Sequence, residues 1–175
     1  GEYKHGTLSE HQEQIKLLTY GKKFSITRQA IINDDMSAFT NIPRKMGRSA
    51  KRKIGDLVFS VLTENQVMAN GLALFHANHK NLAAKGSALS VASLSQARRD
   101  MMMHKDISGN AVLNIRPSLL VIPAALEDTA RLLMVSETDP AQTNSRVPNL
   151  VRNSLEIIVD ARLDSNSTTA WYLLA

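Results

Sequence analysis

His76 and His79, in the stretch LFHANHKN, are the side chains whose type and spacing come nearest to a reactive site. Close histidine pairs are common among zinc ligands, but a protein metal site takes three or four ligands. His5, His11 and His104 stand far off in sequence, the chain has no cysteine, and no HExxH pattern adds a general base. Asn78 and Asn81 point instead to a hydrogen-bonded loop in which a histidine ring pins backbone groups. A metal-dependent hydrolase at this loop stands behind that reading as an alternative.

Other reactive patterns fall away in turn. No serine occupies a Gly-x-Ser-x-Gly turn. Asp34 and Asp35 resemble a carboxylate dyad, but neighbours at a helix start point different ways, and both suit capping of free N–H groups. The eight glycines are scattered and form neither a Walker nor a dinucleotide pattern. Met101, Met102 and Met103 suit adaptable packing. The expectation is a protein with no catalytic residues, no cofactor and no metal.

Charge gives the next candidate. The 175 residues carry a net charge of +5. Residues 1–33 hold five basic and three acidic side chains, residues 34–65 six and four, and the remainder ten and nine. The excess is thin except between Arg44 and Lys53. There Arg44, Arg48, Lys51 and Arg52 fall on one side of a helix, roughly opposite Met46, Ala50, Ile54, Leu57, Val58 and Val61. Such a face is expected to be solvated or to meet acidic neighbours. A DNA-binding module using residues 44–53 is the other alternative, though the stretch lacks interleaved aromatics for stacking.

These positions imply the element that carries them. Asn33 to Asp35 open a short helical lead-in, and Thr40 or Asn41 caps a second start with Pro43 in its first turn. A helix over about 42–65, at about 1.5 Å per residue, exceeds 30 Å and spans a domain. Before it, EQIKLLTY and KKFSITRQAII read as a polar two-stranded ribbon, with SEHQ as a turn after residues 2–8. Such a ribbon is marginal alone and needs a surface to lie on.

After the long helix comes a loop-rich stretch. Ser93 then opens a second helix over about 93–105, with Gln96 completing a capping box and Gly109 ending it. SLLVIP reads as a buried strand, and AALEDTARLLMVS as a helix with Glu127 and Asp128 in its first turns. SETDPAQTNSRVPN is a long polar loop, expected to be exposed. SLEIIVDARLD and TTAWYLLA close the chain as a hairpin around DSNS. Both ends look cut, as in a fragment of a longer polypeptide. No apolar run approaches the roughly 20 residues of a membrane span, and GEYKHG is no signal peptide, so a soluble, intracellular protein without a membrane partner is expected.

Four stretches in order, FSITRQAIINDDMSAFTNIPRKMGRSA, GLALFHANHKNLA, SLSQARRDMMM and LNIRPSLLVIPAALEDTARLL, resemble the Mu-like major head subunits of the gpT type. They are also similar to the prohead protease–major capsid fusion proteins of tailed phages and prophages. The resemblance runs from about Glu2 to Ala175. It implies an α+β chain with the Hong Kong 97-type capsid fold, present as a fragment. Residues 1–34 would be the E-loop β-ribbon, 35–111 the peripheral domain with its long spine helix, and 112–175 part of the axial α/β domain. It implies a structural phage or prophage major capsid protein that assembles through pentamers and hexamers into an icosahedral shell enclosing DNA. The implied partners are copies of itself, scaffold or portal proteins, and DNA by non-specific contact. The implied location is the virion capsid, after assembly in the bacterial cytoplasm. On this reading Lys22, Lys23, Arg28, Arg44, Arg48, Lys51 and Arg52 are the candidates for the subunit interface.

Overall fold

The computed structural model describes residues 18–23, 25, 27–29, 36–106, 108–143 and 146–175, with only the backbone at 36–40. Most of the expected ribbon, its SEHQ turn and the capping positions at Asn33 to Asp35 lie outside the described residues. The chain divides into two compact units, one within Glu13–Asn65 and one within Gln66–Ala175. Among the described residues the fold is mixed α and β, with a small sheet and three complete helices.

The first unit is dominated by helix α1, Met36–Thr63. It is one continuous helix of 28 residues, about 42 Å long. The expected second start at Thr40 or Asn41 is absent, and Pro43 lies inside the helix as its eighth residue rather than in a first turn. Proline in that place removes one backbone bond to the preceding turn. The helix tolerates the loss and runs on for five more turns. It ends where Glu64 N bonds to Ser60 O at 2.9 Å and Asn65 turns left-handed at φ 47°. Asparagine accepts that conformation at small cost, which makes it a natural stop. Residues 18–23, before α1, contain no strand, and Arg28 and Gln29 are helical.

The second unit is built on strand β1, Leu119–Ile122. Helix α2, Val91–Met102, precedes it, and helix α3, Glu127–Val135, follows through the 3-10 turn Ala124–Leu126. Strands β2, Glu156–Val159, and β3, Tyr172–Leu174, complete the sheet in the order β2-β1-β3. β1 runs parallel to β2 and antiparallel to β3. The expected hairpin between the last two strands is therefore incorrect. The run LLVI is apolar throughout, so burying it on both faces and both edges removes the most surface from water, and it takes the centre.

Register follows from the faces. Leu120 sits opposite Ile157 and Leu173, and Ile122 opposite Val159. That face packs with Leu89, Val91 and Leu94 from the α2 region, with Ala130, Leu133 and Met134 from α3, and with Val151. Val121, Ile158 and Tyr172 lie on the other face, where the Phe75 ring stands 5.4 Å from the Tyr172 ring. The Trp171 indole also donates to Ser87 O at 3.0 Å. Residues on both sides of the expected boundary at 111/112 thus share one core. Each fully buried aliphatic side chain contributes about 1.5–3 kcal/mol.

Helix α2 starts at Val91 rather than near Ser93, with Ser90 as its cap. Ser93 N donates to Ser90 Oγ at 3.2 Å, and Ser90 N donates to Ser93 Oγ at 2.9 Å. Leu89 before the cap and Leu94 in the first turn are both core residues, which fixes the angle at which the chain enters the helix. Gln96, expected to close the box, instead donates to Asp100 at 2.7 Å. Gly109 does not end the helix. It turns with φ 75° in the loop that follows, which Lys105 and Val112 close as a bridge.

Candidate functional site

The histidine loop is tied up by its own bonds. His79 Nδ1 faces Leu74 O at 3.1 Å, and its Nε2 faces the Asn70 amide nitrogen at 2.7 Å. A carbonyl oxygen only accepts, so Nδ1 carries the proton and Nε2 accepts from Asn70. His76 Nδ1 accepts from Asn78 N at 3.1 Å and caps the turn Ala77–His79. Asn81 reaches Leu74 O with its amide at 2.6 Å and takes His76 N on its carbonyl at 3.0 Å. His104 Nε2 bonds to His79 O at 3.1 Å and ties the loop to the end of α2. Both ring nitrogens of His79 are engaged, so it offers a metal no lone pair without breaking the loop. Among the described residues, no group of three or more His, Asp and Glu side chains is placed to hold a metal. These histidines shape a loop, as their asparagine neighbours indicated.

The basic side chains lie on the first unit. Arg44, Arg48, Lys51 and Arg52 are all exposed, and at 100° per residue they fit within about 100° of the α1 surface. Lys22 and Lys23 do not join that arc. They line a groove of about 760 Å³ against α1, together with Tyr20, Lys45, Ser49 and Lys53, over a floor of Ile42, Met46 and Ala50. Lys53 Nζ stands 5.2 Å from the centre of the Tyr20 ring, a cation–π contact. Lys45 and Lys53 are therefore part of the surface; the sequence reading placed them in the basic stretch 44–53 but not among the interface candidates. Their helical positions, one step beyond the arginine arc on the groove side, carry that signal. Arg28 is exposed in its own helical turn.

Among the described residues, none of Lys22, Lys23, Arg28, Arg44, Arg48, Lys51 and Arg52 has a carboxylate within salt-bridge distance. Arg52 donates to Ser49 Oγ at 3.2 Å, and that hydroxyl donates to Lys45 O at 3.0 Å. The apolar side of α1 is no better covered. Ile54 is 64% exposed and Val58 61%, and no described side chain of the helix is buried. Such an arrangement presents charge and apolar surface for contact, and no helix among the described residues is long and apolar enough to cross a membrane.

In the second unit, two side chains far away in sequence hold the ends of α3. The Asp164 carboxylate accepts from Ala124 N at 2.7 Å and Ala125 N at 3.0 Å, where the helix dipole favours negative charge. At the other end, buried Asn149 donates to Leu133 O at 2.6 Å and Ser136 O at 3.0 Å and accepts from Val151 N at 3.0 Å. The loop at 136–149, expected to be exposed, is thus anchored at its end by buried Asn149. The DSNS stretch, read as a hairpin turn, supplies the Asp164 clamp instead. Tyr172 faces its own constraint, since burial pushes its phenol above the usual range.

Comparison with known proteins agrees with a contact-making chain. No curated protein and no solved structure matches it significantly. A family model described as phage capsid protein matches residues 12–175. The match covers nearly the whole chain, and with it a structural role in the phage head: this chain belongs to the phage capsid protein family.

Proposed function

We propose that this chain is a Mu-like major head subunit with the Hong Kong 97-type fold, which self-assembles through rings of five and six into an icosahedral shell around DNA. On this reading residues 1–34 take the place of the E-loop, although their described part shows no strand and a helical turn at Arg28 and Gln29, 35–111 form the peripheral domain with α1 as its spine, and 112–175 are part of the axial domain. The observation that carries it is α1, a helix of 28 residues with no buried side chain among those described. Most helical stability in proteins comes from packing an amphipathic face. A helix this long, with its described side chains exposed or only half-buried, gains that packing from neighbours. In a ring of identical subunits the contact is head to tail and closes on itself.

Lys22, Lys23, Arg28, Arg44, Arg48, Lys51 and Arg52 are proposed as the basic half of this interface, joined by Lys45 and Lys53 at the groove. Their lack of carboxylate partners among the described residues favours acidic groups on a neighbour. The same observation supports a second reading, non-specific contact with packaged DNA phosphates. Its affinity would fall steeply with salt, in proportion to the phosphates neutralised.

Negative-stain microscopy and light scattering of the protein as it occurs in the head test the first reading. Rings or shells are the expected result. A compact monomer under every condition overturns it. Replacing Arg48 and Arg52 by glutamate separates the two readings. Loss of assembly without nucleic acid favours the subunit interface, and intact assembly with a flattened salt response of DNA binding favours the second.

A further inference from the structure

The outward side of α3 carries an apolar patch that the core does not use. Ala130, Leu133 and Met134 face inward and are buried, whereas Leu132 is 54% exposed and Val135 68%. Three residues apart on a helix, these two are surface neighbours. Leu150, 69% exposed, lies beside the same helix end. Its position follows from the Asn149 clamp on Leu133 O and Ser136 O, and from two backbone bonds, Asn149 N to Glu137 O at 3.0 Å and Asn153 N to Met134 O at 2.9 Å. The backbone at 149–153 is held against the last turn of α3, so Leu150 cannot swing away.

Paired charges border the patch. Arg131 bonds to Glu127 at 2.7 Å, and Arg152 to Glu137 at 3.1 Å. An apolar centre with a polar rim is the anatomy of a protein–protein contact. The rim balances two cations against two carboxylates, which gives a nucleic-acid backbone nothing to hold. Size decides between kinds of protein partner. Three side chains more than half exposed amount to a patch on the order of 300 Å². A stable pairwise complex buries roughly 800 Å² on each partner. This patch is too small to hold a dimer alone and suits one of several weak contacts repeated around a shell subunit. For a member of a capsid family, the partner available at every position is another copy of the same chain.

We propose that the Leu132, Val135 and Leu150 patch is a contact between neighbouring copies of this chain. The proposal rests on the self-assembly reading above and adds a second contact region, in the second compact unit. Because these 175 residues hold no cysteine, a single introduced thiol is the only maleimide target among them. Val135→Cys and Leu150→Cys, made separately in the protein as it occurs in the head, keep the exposed positions and leave the core untouched. Thr168→Cys, at an exposed turn position, serves as the control. The expected result is ready labelling of all three before assembly, and loss of labelling at positions 135 and 150 alone after it. Unchanged labelling at 135 and 150 in particles visible by microscopy overturns the contact while leaving self-assembly intact. Failure of the unmodified protein to assemble under any condition overturns both. Leu132→Glu gives an independent check through circular dichroism and scattering, with an unchanged melting curve and loss of assembly expected. Assembly at the parent level would sink the proposal.

Discussion

Helices α1 and α3 are stabilised in opposite ways. α3 has nine residues, three of them buried, and side chains from two distant segments hold its ends. α1 is three times as long, buries none of its described side chains, and carries cations that have no carboxylate partner among the described residues. The comparison teaches where each part of the molecule gains its stability. The second unit closes upon itself, while the first leaves the described side chains of its helix exposed or half-buried.

The largest effect should come from truncating the two regions in parallel. Leu120→Ala, at the centre of the sheet, is expected to cost about 2–5 kcal/mol, through lost burial and the cavity left behind. Ile54→Ala on α1 should stay within about 0.5 kcal/mol in the unassembled chain, as surface substitutions do. Urea denaturation of both variants measures the difference directly. Comparable losses would break the contrast, because α1 would then be packed in the free chain.

The helix clamps should rank next. Asn149→Ala strands the Leu133 and Ser136 carbonyls and the Val151 amide, at a cost of about 2–3 kcal/mol. Asp164→Ala, at a more accessible helix start, should cost about 1 kcal/mol. Thermal melts decide the order. If Asp164→Ala proved the more damaging, the start of α3 would outweigh its end in holding the second unit closed.

Local pattern carried much of this architecture, and its failures have physical causes. The apolar run at SLLVIP gave a strand, the three- and four-residue spacing after Met46 gave a long helix, and Glu127 and Asp128 marked the start of α3. The histidine loop was legible because asparagines stand next to both rings. What failed was long-range or closely matched. Ser90 and Ser93 both fit a capping role, and only the staple between Leu89 and Leu94 tells them apart. Whether β3 pairs with β2 or β1 depends on which strand is central, which DSNS cannot encode. Asp164 and Asn149 lie 40 and 16 residues from the groups they bind, so no local window reveals them. Pro43 misled because a first-turn position is its commonest helical place, and α1 is long enough to bear one missing bond. Lys45 and Lys53 were missed for a related reason. Grouping by one helix face omits cations that a neighbouring segment gathers into a groove.

The smallest predicted effect concerns the turn after α2 and sharpens the picture of a self-clamped second unit. The Asp106 carboxylate accepts from the Ser108 hydroxyl at 2.6 Å and from the backbone of Ala111 and Asn110 at 3.2 and 2.9 Å. The Ser108 bond first, then the Ala111 backbone bond, hold its pKa below the ordinary 3.8, against the opposing push of desolvation. A carboxyl whose folded pKa is depressed stabilises the fold in full above its unfolded value. That contribution is lost as pH falls through the lower, folded value. The turn should therefore keep its bonds down to pH 3.8 and release them only below it. A carbon-detected NMR titration of the Asp106 carboxyl reads this directly, with the Ala111 amide shift expected to move in step. Asp106→Asn retains an acceptor but removes the titration, so the Ala111 amide should then hold its shift across the same window. A midpoint at or above 3.8 would mean that the carboxylate does not hold the turn, and that Gly109 and the Lys105–Val112 bridge close it unaided.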